Sequence, residues 1–240
     1  MNIALIGYGK MGKEIEKIAL ERGHHISFRI NIENKEDLFK INSNNTDVAI
    51  EFTQPETAFE NIQTTLNNKV SIVSGTTGWL DRQSEVEQLA VSQEKAFFYA
   101  SNFSLGVNLF FQLNEYLAKL MSKHSQYQLS MEEIHHTEKK DAPSGTAISL
   151  AKGIIENYPQ KISWVNQKTE AQEEIGIISK REPHVPGTHV ITYSSPEDFI
   201  EIKHEAYSRK GFALGAVLAA EFIKDKKGVL GMKDLLAGAL

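Results

Sequence analysis

Residues 2–12 read Asn-Ile-Ala-Leu-Ile-Gly-Tyr-Gly-Lys-Met-Gly. A short apolar run leads directly into glycines at 7, 9 and 12, and Met11, Ile15, Ile18 and Ala19 then recur at helical spacing. The apolar run predicts a buried strand. The three glycines each have a mechanical reason: a tight turn, close approach of backbone to a pyrophosphate, and a helix lying tightly on a strand. The N-terminus of that helix turns its free N–H groups toward phosphates. Gly23 stands where a left-handed cap ends a helix, and residues 25–30 (His-Ile-Ser-Phe-Arg-Ile) predict a second strand. This strand–turn–helix–strand unit within about 30 residues predicts a dinucleotide site.

The alternation continues outward. Asp47–Phe52 predicts a strand closed by Thr53-Gln54-Pro55, residues 56–67 a helix, and Val70–Ser74 a strand followed by Gly75-Thr76-Thr77-Gly78. A polar helix fits 81–94, and Ala96–Ala100 is a fifth strand closed by Ser101-Asn102-Phe103-Ser104. Strands alternating with helices predict an α/β fold with a doubly wound sheet. The texture then changes. A helix over 105–123 carries Leu109, Leu113, Leu117 and Leu120, and residues 127–134 alternate as a strand with Tyr127, Leu129 and Met131 on one face. A helix opens near Ser144, and strand-like stretches follow at 161–166, 175–181, 188–194 and 198–204. Several strands with few helices predict a second, α+β domain. The C-terminus returns to helix, with Phe212, Ala216, Ala219, Ala220 and Ile223 and then Met232, Leu235, Leu236 and Leu240, and is expected to pack on the first domain.

Composition narrows the function. The 240 residues carry 26 Lys+Arg against 31 Asp+Glu, a net charge of −5, with no cysteine. No disulfide, thiol nucleophile or thiolate metal site is possible, which fits a cytoplasmic address. The opening apolar run is too short for a secretory leader and lacks a basic start. No stretch reaches the ~18 apolar residues of a membrane span. Mild acidity argues against nucleic-acid binding, and an anionic substrate needs a local cationic pocket.

Two places carry the chemistry. At the end of the second strand, Asn31 stands where an acidic ribose ligand is expected, with Arg29 before it and Glu33 after it. The choice between NADH and NADPH stays open there. The denser stretch is Glu133-Ile134-His135-His136-Thr137-Glu138-Lys139-Lys140-Asp141-Ala142-Pro143-Ser144-Gly145-Thr146-Ala147. Histidine exchanges protons near neutral pH, and lysine pairs with a carboxylate or delivers a proton. Ser144 is a plausible N-cap, so the Gly145 and Thr146 amides form an anion site. The plainer alternative is a solvated His/Lys run before an ordinary helix start. Metal ligation by His135 and His136 is disfavoured because neighbours on a strand diverge. His189 and His204, in strand-like segments, read as packed or interface residues.

Together these stretches resemble the 4-hydroxy-tetrahydrodipicolinate reductases, also called dihydrodipicolinate reductases, of bacterial lysine and diaminopimelate synthesis. The resemblance rests on GYGKMG (7–12), DVAIEFTQPE (47–56), SGTTGW (74–79), ASNFSLGVN (100–108), EIHHTEKKDAPSGTA (133–147), VPGTHVI (185–191) and HEAYSRKGFALGA (204–216). It implies a Rossmann-type domain over 1–104 and 210–240 and a substrate-binding and tetramerisation domain over 105–209. It further implies a homotetramer, a small dicarboxylate substrate and hydride transfer from NADH or NADPH without a metal. His135 resembles the family's proton donor or acceptor and Lys139 its proton donor. His136, Lys139, Ser144, Gly145 and Thr146 match substrate-binding positions. Gly7, Tyr8, Gly9, Lys10, Met11, Gly12 and Asn31 fall in the dinucleotide motif, and Gly75, Thr76, Thr77, Ala100, Ser101, Asn102 and Phe103 match the loops that hold the nicotinamide half. A hinge is expected between about 104 and 130 and again near 210. Another oxidoreductase of amino-acid metabolism would need a different loop from Lys139–Thr146, and a nucleotide sensor would lack His135 and Lys139.

Overall fold

The structure, a computed structural model, describes residues 1–208 and 210–237. Leu240, expected in the last helix, lies outside the described residues. From the N-terminus the elements are β1 (Asn2–Ile6), α1 (Lys10–Glu21), β2 (His25–Ile30), β3 (Val48–Glu51), α2 (Pro55–Asn67), β4 (Ser71–Ser74), α3 (Gln83–Ser92) and β5 (Ala96–Tyr99). There follow α4 (Leu105–Met121), β6 (Gln128–His135), α5 (Gly145–Asn157), β7 (Ser163–Val165), β8 (Glu174–Arg181), β9 (Gly187–Ser194) and β10 (Phe199–Ala206). The chain closes with α6 (Lys210–Ile223), β11 (Gly228–Leu230) and α7 (Met232–Ala237). It divides into two compact units, Met1–Leu105 with Lys210–Leu240, and Gly106–Arg209.

The first unit is a six-stranded parallel sheet in the order β11-β5-β4-β3-β1-β2. Both faces are covered, which is why its strands are continuous apolar runs. Ile3 and Leu5 of β1 enter a core with Ile15 and Ile18 of α1 and Ala216, Val217 and Ala220 of α6. Ala4 and Ile6 point the other way, into a core with Ala58, Phe59 and Ile62 of α2 and Val86 of α3. β2 and β3 lie on opposite sides of β1, so strand order reverses there and a crevice opens beyond the carboxyl ends of β1 and β3.

The second unit is a mixed five-stranded sheet, β10-β9-β6-β8-β7, in which β6 runs parallel to β8 and antiparallel to β9. One face packs on α4 and α5, through Phe110, Ala118, Leu150 and Ile154 against Leu129, Met131, Ile177 and Ile191. The alternation along β6 has a consequence beyond packing. Leu129 and Met131 share their buried face with Glu133 and His135, so a carboxylate and an imidazole are carried inside with the core.

Two expectations change. The last segment is not purely helical, because β11 adds a strand beside β5. Three residues are too few to show a period of two. In α4 the inward line is Val107, Phe110, Asn114, Ala118 and Met121, whereas Leu109, Leu113 and Leu120 are exposed at 54%, 48% and 48%. The helix is apolar on two faces, so leucine spacing alone could not say which face is inside.

Candidate active site

The first unit carries an anion cradle. Gly7 has φ +96°, and a Cβ there would lie 1.9 Å from the Phe52 carbonyl oxygen, so no other residue fits that turn. The N–H groups of Gly7 and Tyr8 both donate to the Ile30 carbonyl at 2.9 Å, tying the loop to the end of β2. Gly9 is the N-cap of α1; it supplies no side chain, and space above it is open. The first turn, Lys10-Met11-Gly12-Lys13, holds no acidic residue. Uncapped amides, open approach and two lysines fit a dinucleotide pyrophosphate. A cavity of about 830 Å³ runs from this loop, with Gly7, Tyr8, Gly9 and Asn31 in its wall together with Phe52, Thr53 and Asn61.

The remaining predicted cofactor residues, Gly75–Thr77 and Ala100–Phe103, follow β4 and β5 at the same carboxyl edge of the sheet. They are joined to the cavity wall by groups the sequence reading missed. Glu51 is fully buried. It accepts hydrogen bonds from Thr53 N at 2.9 Å, Ser74 Oγ at 2.6 Å, Thr76 Oγ1 at 2.7 Å and also Thr53 Oγ1. Thr76 thus serves the loop's shape through its side chain. Phe52 lies 5.4 Å from Phe103, ring to ring. Asn102 accepts from Ser104 N at 2.9 Å, closing the turn into α4.

In the second unit, the end of β6 and the start of α5 bring His135 and Ser144 together around Glu133, and β8 and β9 add two unpredicted partners, Arg181 and His189. Glu133 is completely buried and accepts the Ser144 N–H on both oxygens at 3.1 Å. His135 Nδ1 lies 3.4 Å, Arg181 Nη2 3.5 Å and His189 Nε2 3.8 Å from its carboxylate. Ser144 Oγ accepts from Ala147 N and contacts His189 Nε2, both at 3.2 Å, so both polar groups of Ser144 are spent inside the protein. Gly145 and Thr146 keep the helix-start position, with open space at Gly145. Lys139 Nζ holds both oxygens of exposed Asp141 at 2.8 Å, and Arg181 secures the loop through the Lys139 and Asp141 carbonyls. His136 is half-buried just past the strand end.

Burial opposes charge on Glu133, but hydrogen bonds from Ser144 and Ser179 and the neighbouring His135 outweigh it and hold the carboxyl below its usual range. Burial draws His135 down, assisted by Lys139 and Arg181 and resisted by Glu133. Burial, with His135 beside it, pulls His189 down to about 4. These groups favour one ionisation pattern at neutral pH: carboxylate with two neutral imidazoles. A histidine whose folded pKa is depressed contributes nothing to lose above about 6.5, and costs stability as pH falls from there toward its folded value. His189 alone is expected to cost roughly 3 kcal/mol by pH 4. Urea unfolding at pH 7 and pH 4.5 measures this, and His189→Asn should flatten the slope. An unchanged slope would refute the burial argument.

Glu133 stands two residues before His135 on an alternating strand, so its face follows from the pattern but its role does not. Its antiparallel partner in β9 is His189, a pairing that no local pattern displays. Gly187, two residues earlier, supplies the room: a Cβ there would lie 3.0 Å from His135 Nε2. Glu133, His135 and His189, rather than His135 and His136, are the described residues with metal-ligand geometry. Arg181 beside the same carboxylate opposes a dication.

The comparisons with known proteins are concordant. Residues 1–103 match the family model described as dihydrodipicolinate reductase, N-terminus, and residues 106–236 match that described as dihydrodipicolinate reductase, C-terminus. A 4-hydroxy-tetrahydrodipicolinate reductase of Christiangramia forsetii is 51% identical over 240 residues, covering 99% of this chain and 98% of its own. One from Rickettsia bellii is 36% identical, covering 98% and 94%. Among solved structures, a dipicolinate-bound dihydrodipicolinate reductase from Paenisporosarcina sp. TG-14 superposes with TM-score 0.74 at 25% identity, over 96% of this chain and 97% of that one. With both halves matched and full-length relatives above 30% identity, the chain belongs to the dihydrodipicolinate reductase family.

Proposed function

We propose that this reductase converts 4-hydroxy-tetrahydrodipicolinate to tetrahydrodipicolinate, using NADH or NADPH bound at the cradle of the first unit. The observation that carries the reading is the second-unit cluster: His136, Lys139 and the α5 start present side-chain and backbone N–H groups, and buried Glu133 lies 3.4 Å from His135 Nδ1. The reduced nicotinamide supplies the hydride; the ring hydroxyl leaves as water and takes up one proton. The chain's own groups do the rest. The Gly145 and Thr146 amides and His136 anchor carboxylates, with Ser144 orienting those amides. Lys139 is already engaged with a carboxylate, that of exposed Asp141, and a substrate carboxylate can compete for it. His135, drawn toward its neutral form, is suited to accept or relay a proton, and the Lys139 ammonium to donate one.

The two units then divide the work, 1–104 with 210–240 for the dinucleotide and 105–209 for the substrate. A hinge in 104–130 and near 210 serves closure. We extend the reading to a cytoplasmic homotetramer assembled through the second unit, whose exposed Leu109, Leu113 and Leu120 offer apolar surface. The test is loss of reduced-nicotinamide absorbance with freshly made synthase product as substrate. Turnover with either cofactor supports the reading. Binding of cofactor without any turnover would sink it in favour of a sensor.

A further inference from the structure

The cavity that starts at the glycine loop ends at the residues after β2, where the adenosine half of a dinucleotide lies in this fold. Its outer walls are apolar: Ile32 is 87% exposed and Phe39 68%, and both line it. Its charges are one-sided, with Glu33, Glu36 and Glu60 against Lys35. The loop is built to hold this arrangement. Asn31 Oδ1 accepts from Glu33 N at 2.8 Å and Asn34 N at 3.2 Å, and Asn34 Nδ2 donates to the Arg29 carbonyl and Asp37 Oδ2, both at 2.9 Å.

A 2′-phosphate is met in this fold by a nearby guanidinium, and the one that β2 itself offers is Arg29. Arg29 is not among the residues that line the cavity, and its side chain is gripped from α1. Arg29 Nε donates to Glu16 Oε1 at 2.7 Å, and Nη2 donates to the same oxygen. The Tyr8 hydroxyl, from the glycine loop itself, donates to the other Glu16 oxygen. Glu16 is largely covered. The pairing holds Glu16 below and Arg29 above their usual ranges, through their mutual hydrogen bonds first.

We propose that the Tyr8–Glu16–Arg29 clamp, facing an acidic adenosine pocket, makes this site select NADH over NADPH. The inference rests on the dinucleotide reading above. The clamp neutralises the guanidinium that β2 would offer a 2′-phosphate, and Glu33 and Glu36, beside the same loop, repel the added dianion. A ribose 2′-hydroxyl suffers neither penalty.

Calorimetric titration of the full chain with NADH and with NADPH reads this without turnover. NADH should bind roughly tenfold tighter or better, a difference of about 1.4 kcal/mol. Glu16→Gln should narrow the ratio several-fold by tightening NADPH, and adding Arg29→Ala should restore it. Ile32→Arg, at an exposed position, supplies an unclamped guanidinium and should also tighten NADPH, which keeps the test intact if the Glu16 variant does not fold. Equal affinities in the wild type, or an unchanged ratio in folded Glu16→Gln and Ile32→Arg, would overturn the selectivity alone. Binding of neither nucleotide would overturn the dinucleotide reading and this inference with it.

Discussion

Replacing Lys139 with alanine is expected to lower kcat by roughly 10²–10⁴-fold, the range of a lost general acid, with NADH binding and melting temperature nearly unchanged. The separation follows from where the side chain sits. Lys139 is in the second unit, away from the glycine loop in the chain, and its partner Asp141 is 58% exposed. Removing the ammonium therefore leaves no buried charge without a partner, and a surface ion pair contributes at most about 1 kcal/mol. Steady-state kinetics with calorimetric cofactor binding decides the matter. A variant that keeps kcat within a few-fold of wild type would remove Lys139 from the chemistry.

Glu133→Ala should do the reverse, striking stability as hard as activity. The carboxylate is wholly buried and is the common partner of Ser144 N, His135, His189 and Arg181. Deleting one side of such a buried array costs roughly 3–5 kcal/mol, measured as a lower urea midpoint. Glu133→Gln keeps the shape and separates the two effects. Glu133 raises the pKa of His135 against burial, so without its charge the His135 titration, followed by NMR, should move to still lower pH. Full stability in the alanine variant, together with an unmoved His135 titration in the glutamine one, would show that the carboxylate organises nothing.

What the sequence made legible depends on whether the signal is local. The β1–Gly7–α1 unit was readable because three glycines, an apolar run and helical spacing all lie within one continuous stretch. The His135–Thr146 stretch was readable for the same reason. Glu133 was half-readable: alternation puts it on the face of Leu129 and Met131, but an acid on a core face suggests no role until its partners are known. His189 and Arg181 reach it through strand pairing, from β9 and β8, and those registers are set by the whole sheet. Glu51 was hidden likewise, since Thr53 follows it closely but Ser74 and Thr76 arrive from the next strand. β11 escaped because it is a strand only by virtue of pairing with β5. The leucines of α4 misled because burial of a helix face is decided by what packs on it.

Trp79 turns the Gly75–Thr77 loop into something that can be watched. Its indole N–H donates to the Thr76 carbonyl at 2.7 Å, and its ring stands edge-on to Phe97 and Tyr99 at 6.1 and 6.0 Å. The ring is 5% exposed, and the sequence has one other tryptophan, Trp164 in β7 of the second unit. With Trp164→Phe the chain carries a single tryptophan, hydrogen-bonded to the backbone at Thr76 and excited selectively above the tyrosine band. Its emission colour and lifetime then report the polarity and motion of that loop directly, without a label.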